Sequence, residues 1–79
     1  MNLYKKYIDV TVYMDAYGEL TPLVIHFKGD QYPIKKIYAI KKAFSPVGGS
    51  GIMYECQIQN ERRNIFYERS RWFIESHHP

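Results

Sequence analysis

Short runs that alternate apolar and polar residues recur along the chain. From Tyr7 to Met14 the apolar residues occupy every second position, and the same spacing returns from Ile52 to Gln59. This period of two is typical of a strand with one buried face. Shorter segments rich in Ile, Phe, Tyr and Trp follow at Ile65–Glu68 and Trp72–Glu75. The pattern therefore predicts an all-β protein.

The stretch from Leu20 to Phe44 organises the predicted sheet. Gly29-Asp30 separates two segments rich in Ile, Val, Tyr and Phe. Because glycine adopts a positive φ without a steric cost, this pair predicts a two-residue hairpin turn. In the strand before the turn, the alternation places Leu23, Ile25 and Phe27 on the buried face.

The segment from Ile34 to Phe44 fits two structures. Its apolar positions 34, 37, 40 and 44 also match the spacing of a helix. Three isoleucines and two tyrosines within nine residues favour a strand instead. In a strand, Ile37 would fall out of phase with Tyr32 and Ile34, so a β-bulge near Lys35-Lys36 is needed. We favour the bulged strand and keep the helix as the alternative.

Turn-forming residues divide the chain into five or six short strands. The predicted connections are Asp15–Glu19, Gly29-Asp30, the glycine-rich loop Ser45–Gly51, Asn60–Asn64 and Arg69–Arg71. No repeat or linker interrupts residues 1–79, so we expect a single domain. Such strands suit a strongly bent antiparallel meander that closes into a small SH3-like barrel, because closure hides the sheet edges.

Composition limits the classes of protein that the chain can belong to. With 46% hydrophobic and 24% charged residues, it resembles ordinary folded domains. A single cysteine excludes an intramolecular disulfide and is expected in a reducing compartment. No apolar run approaches the roughly 18 residues of a membrane span, so we expect a cytoplasmic protein without membrane association. At 79 residues, a homodimer is kept as an alternative to a monomer, because small cores benefit from a partner subunit.

A longer pattern covers most of the chain, from Leu23 to Glu75. It consists of Pro-Leu-Val-Ile-His-Phe, Gly-Asp-Gln-Tyr-Pro-Ile-Lys-Lys-Ile, a glycine loop, Met-Tyr-Glu-Cys-Gln-Ile and a closing Arg-Trp-Phe-Ile-Glu. In this pattern the chain resembles a family of short, uncharacterised bacterial proteins that are predicted to form SH3-like barrels. The resemblance implies a bacterial cytoplasmic barrel and transfers no catalytic residue.

No arrangement of side chains in the sequence predicts an enzyme. Cys56 falls in the predicted buried register, where a thiol is unreactive. Nucleophilic catalysis needs a base beside the thiol, and the spacing does not place His26 there. Gly48–Gly51 lacks the Lys-Ser/Thr ending of a phosphate-binding loop, and His77-His78 form no metal site by themselves. We therefore expect no catalytic residue, cofactor or metal.

Basic and aromatic residues are the remaining candidates for function. One basic group flanks the fifth predicted strand and the other lies on the third segment; they are Arg62, Arg63, Arg69 and Arg71 with Tyr67 between them, and Lys35, Lys36, Lys41 and Lys42. Arginines interleaved with aromatic residues suit a phosphate backbone and unstacked bases. The same residues can also be explained without a ligand. Charged side chains in turns increase solubility, and lysines on an edge strand prevent pairing with another chain.

Aromatic residues opposite the predicted core favour a different partner. Tyr7, Tyr13 and Phe66 are expected on the outer face, where exposed aromatic side chains are typical of protein contacts. We therefore predict a non-catalytic module that binds an unknown protein partner or associates with itself. Weak nucleic-acid binding through Arg62, Arg63, Arg69, Arg71 and Tyr67 is the alternative.

Overall fold

Six antiparallel strands form a closed barrel in the computed structural model, which describes residues 3–44 and 50–77. The strands are β1 (Tyr4–Met14), β2 (Leu20–Phe27), β3 (Asp30–Phe44), β4 (Ser50–Ile58), β5 (Glu61–Glu68) and β6 (Arg71–Ser76). Each strand pairs with its neighbours in chain order, and β6 returns to β1. The predicted all-β meander and its closure into a small barrel of SH3-like type are confirmed.

Strand β1 closes the barrel by pairing with two partners. Its first half, up to Ile8, pairs with β6, and its second half, from Asp9, pairs with β2. The turn that joins β1 and β2 is held by Asp15, whose carboxylate accepts hydrogen bonds of 2.9 Å from the backbone N–H groups of Tyr17 and Glu19. Gly18 has a φ of 86°, a left-handed conformation that glycine adopts without a steric cost.

The segment Ile34–Phe44 is a strand, and the helical alternative is wrong. Its register against β4 shifts between Ile34 and Lys36, where the β-bulge was predicted. The register shifts again between Ile37 and Ala39, which the sequence pattern did not indicate. Each extra residue bends β3 and changes which side chains face inward.

The hairpin turn between β2 and β3 lies one residue earlier than predicted. Phe27 pairs with Asp30, so Lys28 and Gly29 form the turn, with φ values of 51° and 81°. Two successive positive φ values match the twist of a tight hairpin. The lysine accepts this conformation because the flanking strand pairs fix the turn's position.

Strand β2 also departs from simple alternation. A register shift against β1 leaves Leu23 without a partner, since Val12 pairs with Pro22 and Thr11 pairs with Val24. Leu23 is consequently exposed and Pro22 takes the buried position. The prediction that Leu23 shares the buried face with Ile25 is wrong because the bulge reverses the alternation at this point.

Strand β5 begins four residues earlier than the pattern indicated. Ile58 pairs with Glu61, so Gln59 and Asn60 form a two-residue turn in place of the predicted turn Asn60–Asn64. Arg62 therefore lies within the strand. The prediction failed because the polar residues at the start of β5 look like a loop, although they pair with β4. Of the predicted loop Ser45–Gly51, residues 45–49 lie outside the described residues, and Ser50 begins β4.

The core fills the barrel with side chains from five strands. The buried members are Ile8, Ile25, Tyr54, Cys56, Ile58, Ile65 and Trp72. Trp72 packs against Tyr54 and Tyr67, with ring centroids 5.2 and 4.8 Å apart. Phe27, expected to be buried, is only partly so and packs at the margin of this cluster.

Replacing Ile65, which is fully buried, by alanine should cost about 2–5 kcal/mol of unfolding free energy, because it removes apolar contacts and leaves a cavity. Ile40 provides a matched control, since it is 59% exposed. We expect Ile40→Ala to cost about 1 kcal/mol or less. Urea unfolding followed by tryptophan fluorescence measures both, and equal losses in the two variants would contradict the assignment of the core.

Candidate functional site

The side of β3 that faces β2 is largely unpaired. The two strands pair only from Val24 with Pro33 to Phe27 with Asp30. Beyond Pro33, β3 pairs with β4 on one side, and no other described strand pairs with its second side. The bulge after Ile34 explains the separation, because it bends β3 away from β2. A row of backbone N–H and C=O groups is thus open along the second half of β3.

Four lysines lie along this open edge. They are Lys35, Lys36, Lys41 and Lys42, and all four are exposed. No acidic residue occurs from Gln31 to Phe44. Lys36 and Lys41 pair with outward-facing positions of β4, whereas Lys42 pairs with Ile52, whose side chain packs against the core. Positive charge therefore flanks the edge on both faces of the sheet. We call Lys35–Lys42 the β3 edge.

In the part of β2 that faces the open edge of β3, one backbone group is bonded to a side chain. The hydroxyl of Tyr54 donates a hydrogen bond of 2.9 Å to the backbone carbonyl of Leu20. Burial raises the pKa of the Tyr54 hydroxyl, with smaller contributions from the nearby Tyr67 and Glu19. The hydroxyl therefore keeps its proton and remains a donor at neutral pH. Because the Leu20 carbonyl already accepts a hydrogen bond from Tyr54, the β3 edge is more available for pairing with another strand than this part of β2 is.

A second basic and aromatic surface surrounds Tyr38 on the outside of the barrel. The guanidinium of Arg62 lies 4.2 Å from the ring centroid of Tyr38, and the ammonium of Lys36 lies 5.1 Å from it. The Tyr38 hydroxyl donates to Gln57 at 3.2 Å. Glu55 partly balances the charge, since its carboxylate is 3.2 Å from Lys41 and 3.9 Å from Arg62. We call Lys36, Tyr38, Lys41 and Arg62 the Tyr38 surface.

The structure separates the four arginines of the predicted nucleic-acid group. Arg62 belongs to the Tyr38 surface, whereas Arg63 projects on the opposite face of β5, where it contacts Glu61 at 2.7 Å. Arg69 lies in the turn after β5, seven residues and about 23 Å of strand away from Arg62. Arg71, which begins β6, stacks on Tyr7 with its guanidinium 4.2 Å from the ring centroid. They do not form one patch.

Tyr67, the aromatic residue assigned to that group, packs inward. Its ring contacts Trp72 and it is partly buried against the core. An aromatic side chain must expose a ring face in order to stack with a base. Tyr38, which the sequence pattern did not indicate, is more exposed than Tyr67 and lies beside cations, although the guanidinium of Arg62 covers one face of its ring.

A second apolar cluster lies outside the barrel, where exposed aromatic residues were expected. Tyr7 and Tyr13 are exposed as predicted, but Phe66 is buried. Phe66 stacks on Phe73 with a centroid distance of 5.1 Å, and Tyr7 meets Phe73 edge-on. The Lys5 ammonium covers Phe73 at 4.9 Å and pairs with Glu68. Phe66 therefore does not form a contact surface, because it is buried against Phe73.

Cys56 is fully buried in the barrel, as predicted. Burial raises the pKa of its thiol to about 11, so the thiol is protonated at neutral pH. His26 lies on the outer face of β2 and its Nε2 is 2.6 Å from the hydroxyl of Thr11. In residues 3–44 and 50–77, no group of three or more His, Cys, Asp or Glu side chains could hold a metal ion.

Comparisons with models of protein families, with curated proteins and with solved structures find no match to the chain. The part of the chain that the structure describes contains no helix long and apolar enough to cross a membrane.

Titration of Cys56 should lower the stability of the domain at high pH. The folded thiol has a pKa of about 11, compared with about 8.5 for an exposed thiol, so the folded state holds the proton more tightly. The stability that the buried Cys56 thiol contributes is therefore fully present below about pH 8.5, and it is lost as the pH rises towards 11. Urea unfolding at pH 8 and pH 10 should show this loss.

Cys56→Ala removes the thiol and provides the control for this prediction. The decrease in unfolding free energy from pH 8 to pH 10 should be smaller in the variant, although Tyr54 continues to contribute. In the parent protein at pH 8, a thiol reagent should label Cys56 only after urea is added. Rapid labelling of the folded protein would show that the thiol is accessible.

Proposed function

We propose that this protein is a non-catalytic interaction module whose β3 edge binds an extended acidic segment of another protein. The unpaired backbone groups of the β3 edge carry this proposal. Eight residues of strand span about 26 Å, which is enough for a peptide to add as a further strand. Backbone hydrogen bonds would supply affinity, and the side chains beside them would select the sequence.

The charges of the β3 edge favour an acidic partner. Four exposed lysines flank the edge, and opposite charges on neighbouring strands contribute roughly 0.2–1 kcal/mol for each pair. Ile40, 59% exposed and set between these lysines, offers an apolar contact. A segment in which acidic and apolar residues alternate would complement both features.

The same charges oppose association of two copies through this edge. A two-fold axis that joins two β3 edges would pair them in antiparallel order. Centred between Tyr38 and Ala39, such pairing would place Lys35 opposite Lys42 and Lys36 opposite Lys41. Like charges in directly opposed positions are destabilising. A different, acidic chain is therefore the better partner.

The chemical test uses a ten-residue peptide in which glutamate alternates with valine and threonine. It should perturb the amide resonances of the β3 edge and slow hydrogen exchange there, because strand addition protects backbone N–H groups. A peptide with lysine in place of glutamate should bind more weakly. A third peptide, N-methylated at alternate residues, lacks the donors for a strand ladder and should not bind. Equal binding of all three would refute strand addition.

Charge variants of the protein localise the contact. Lys35→Gln with Lys42→Gln should weaken binding of the glutamate peptide by roughly two- to thirty-fold, which corresponds to two lost cross-strand charge pairs. Arg69→Gln with Arg71→Gln changes the net charge equally, at the turn that joins β5 and β6 and at the start of β6. This control pair should leave the affinity unchanged. Equal losses in the two pairs would indicate non-specific attraction.

We also propose a bacterial, cytoplasmic setting for this module. The resemblance of Leu23–Glu75 to short bacterial proteins supports the source. The single free cysteine supports a reducing compartment.

Weak nucleic-acid binding is a second proposal, and the Tyr38 surface is its best support. Tyr38 lies beside the cationic groups of Arg62 and Lys36, and basic groups around an aromatic ring suit single-stranded nucleic acids. Arg69 and Arg71, which follow β5, are too distant to act with the Tyr38 surface. Binding there would release counterions, so affinity should fall steeply with salt.

Titration of the protein with labelled single- and double-stranded oligonucleotides at low salt tests this second proposal. Lys36→Gln with Arg62→Gln should flatten the slope of log affinity against log salt by about one to two contacts. Arg69→Ala with Arg71→Ala should leave the slope unchanged. No binding at low salt would refute the proposal, and a flatter slope only in the second pair would move the contact to the turn that joins β5 and β6.

A further inference from the structure

A cavity of about 300 Å³ lies at one end of the barrel. All six strands contribute to its wall, which includes five isoleucines: Ile8, Ile25, Ile58, Ile65 and Ile74. Phe27 and Tyr32 complete the apolar lining. Gln59 and Arg63 are polar residues that also line the cavity. This end of the barrel carries the turns that join β2 to β3 and β4 to β5. The mouth of a β-barrel is a common position for a small-molecule site.

Three cations surround this apolar cavity. Arg63 lines it directly, and the ammonium groups of Lys6 and Lys28 lie 5.5 and 5.3 Å from the ring centroid of Phe27. Glu61 contacts Arg63 at 2.7 Å, but both side chains are more than half exposed. Among the described residues, no carboxylate lies within 4 Å of the ammonium group of Lys6 or Lys28. The cavity is thus apolar inside and has three cations near Phe27 and Arg63, with Glu61 beside Arg63 and Asp30 opposite Phe27 in the sheet.

We propose that the barrel binds a small amphiphile with an apolar body and a single anionic head group. The body packs against the isoleucine-lined mouth of the barrel beside Phe27, and the head group remains among Lys6, Lys28 and Arg63. A cavity of about 150 Å³ holds one benzene molecule, so about 300 Å³ accepts a chain of roughly eight to ten carbons or a fused pair of rings. This site lies at the end of the barrel where β3 begins, apart from the β3 edge, and is independent of the proposed peptide contact.

The site's own isoleucines allow a direct test. The chain has nine isoleucines, of which five line the cavity and four, Ile34, Ile37, Ile40 and Ile52, do not. With isoleucine methyl groups labelled for NMR, decanoate below its micelle concentration should shift the five cavity methyls and leave the other four nearly unchanged. Decanoate should also raise the melting temperature, because it binds only the folded state. Shifts spread over all nine methyls, or none, would refute the site.

Head-group charge and protein charge provide the controls. Decanol has the same chain without the charge and should bind at least ten-fold more weakly than decanoate, and decyltrimethylammonium should be weaker still. Arg63→Gln should weaken decanoate binding several-fold, whereas Arg62→Gln, the neighbouring arginine on the opposite face of β5, should not. Glu61→Gln should strengthen binding, because it releases the guanidinium of Arg63. Equal affinities for decanoate and decanol, or equal effects of the two arginine variants, would refute the anionic head group.

Discussion

The double pairing of β1 is the constraint on which the rest of the structure depends. A single layer of six strands cannot hide its apolar face unless the sheet curls on itself. Strand β1 achieves this by pairing with β6 before it turns to β2, and Ile8 is buried at the point of change. Closure brings the inward residues of all strands around Ile65 and Trp72. Closure also gives the barrel two ends and an outer face, and these surfaces carry different side chains.

The pairing between β2 and β3 is short, and both proposed binding features lie beside it. Only four residue pairs join these strands, and they lie near the turn that contains Gly29. At that end the cavity opens beside Phe27. Towards the other end, the bulge at Lys35 carries β3 away from β2 and leaves the β3 edge without a partner strand in the described structure. A single bent strand therefore separates the proposed small-molecule site from the proposed peptide contact.

Many of the basic side chains lie over aromatic rings. Lys5 lies over Phe73, Arg71 over Tyr7 and Arg62 over Tyr38, each on the outside of the barrel. Exposed cation–aromatic pairs of this kind contribute about 0.5–1 kcal/mol each. In a chain of 79 residues they extend the apolar packing beyond the small core. The net charge of +3 therefore does not require one basic patch, although the lysines of the β3 edge remain grouped.

Local alternation, together with the strand preference of the isoleucines and tyrosines in β3, was sufficient to predict the barrel class, the buried thiol of Cys56 and the bulge near Lys35, because these depend on the spacing and type of neighbouring residues. It did not predict the polar start of β5, which is a strand only because it pairs with β4. It could not place Leu23 or Phe66. Leu23 is exposed because of its register against β1, and Phe66 is buried because its ring stacks on Phe73 of the paired strand β6. The grouping of charges was likewise decided by tertiary structure. Arg62 and Arg63 are neighbours in the chain, yet strand geometry sends one to the Tyr38 surface and the other to the cavity, since successive side chains point to opposite faces of a sheet.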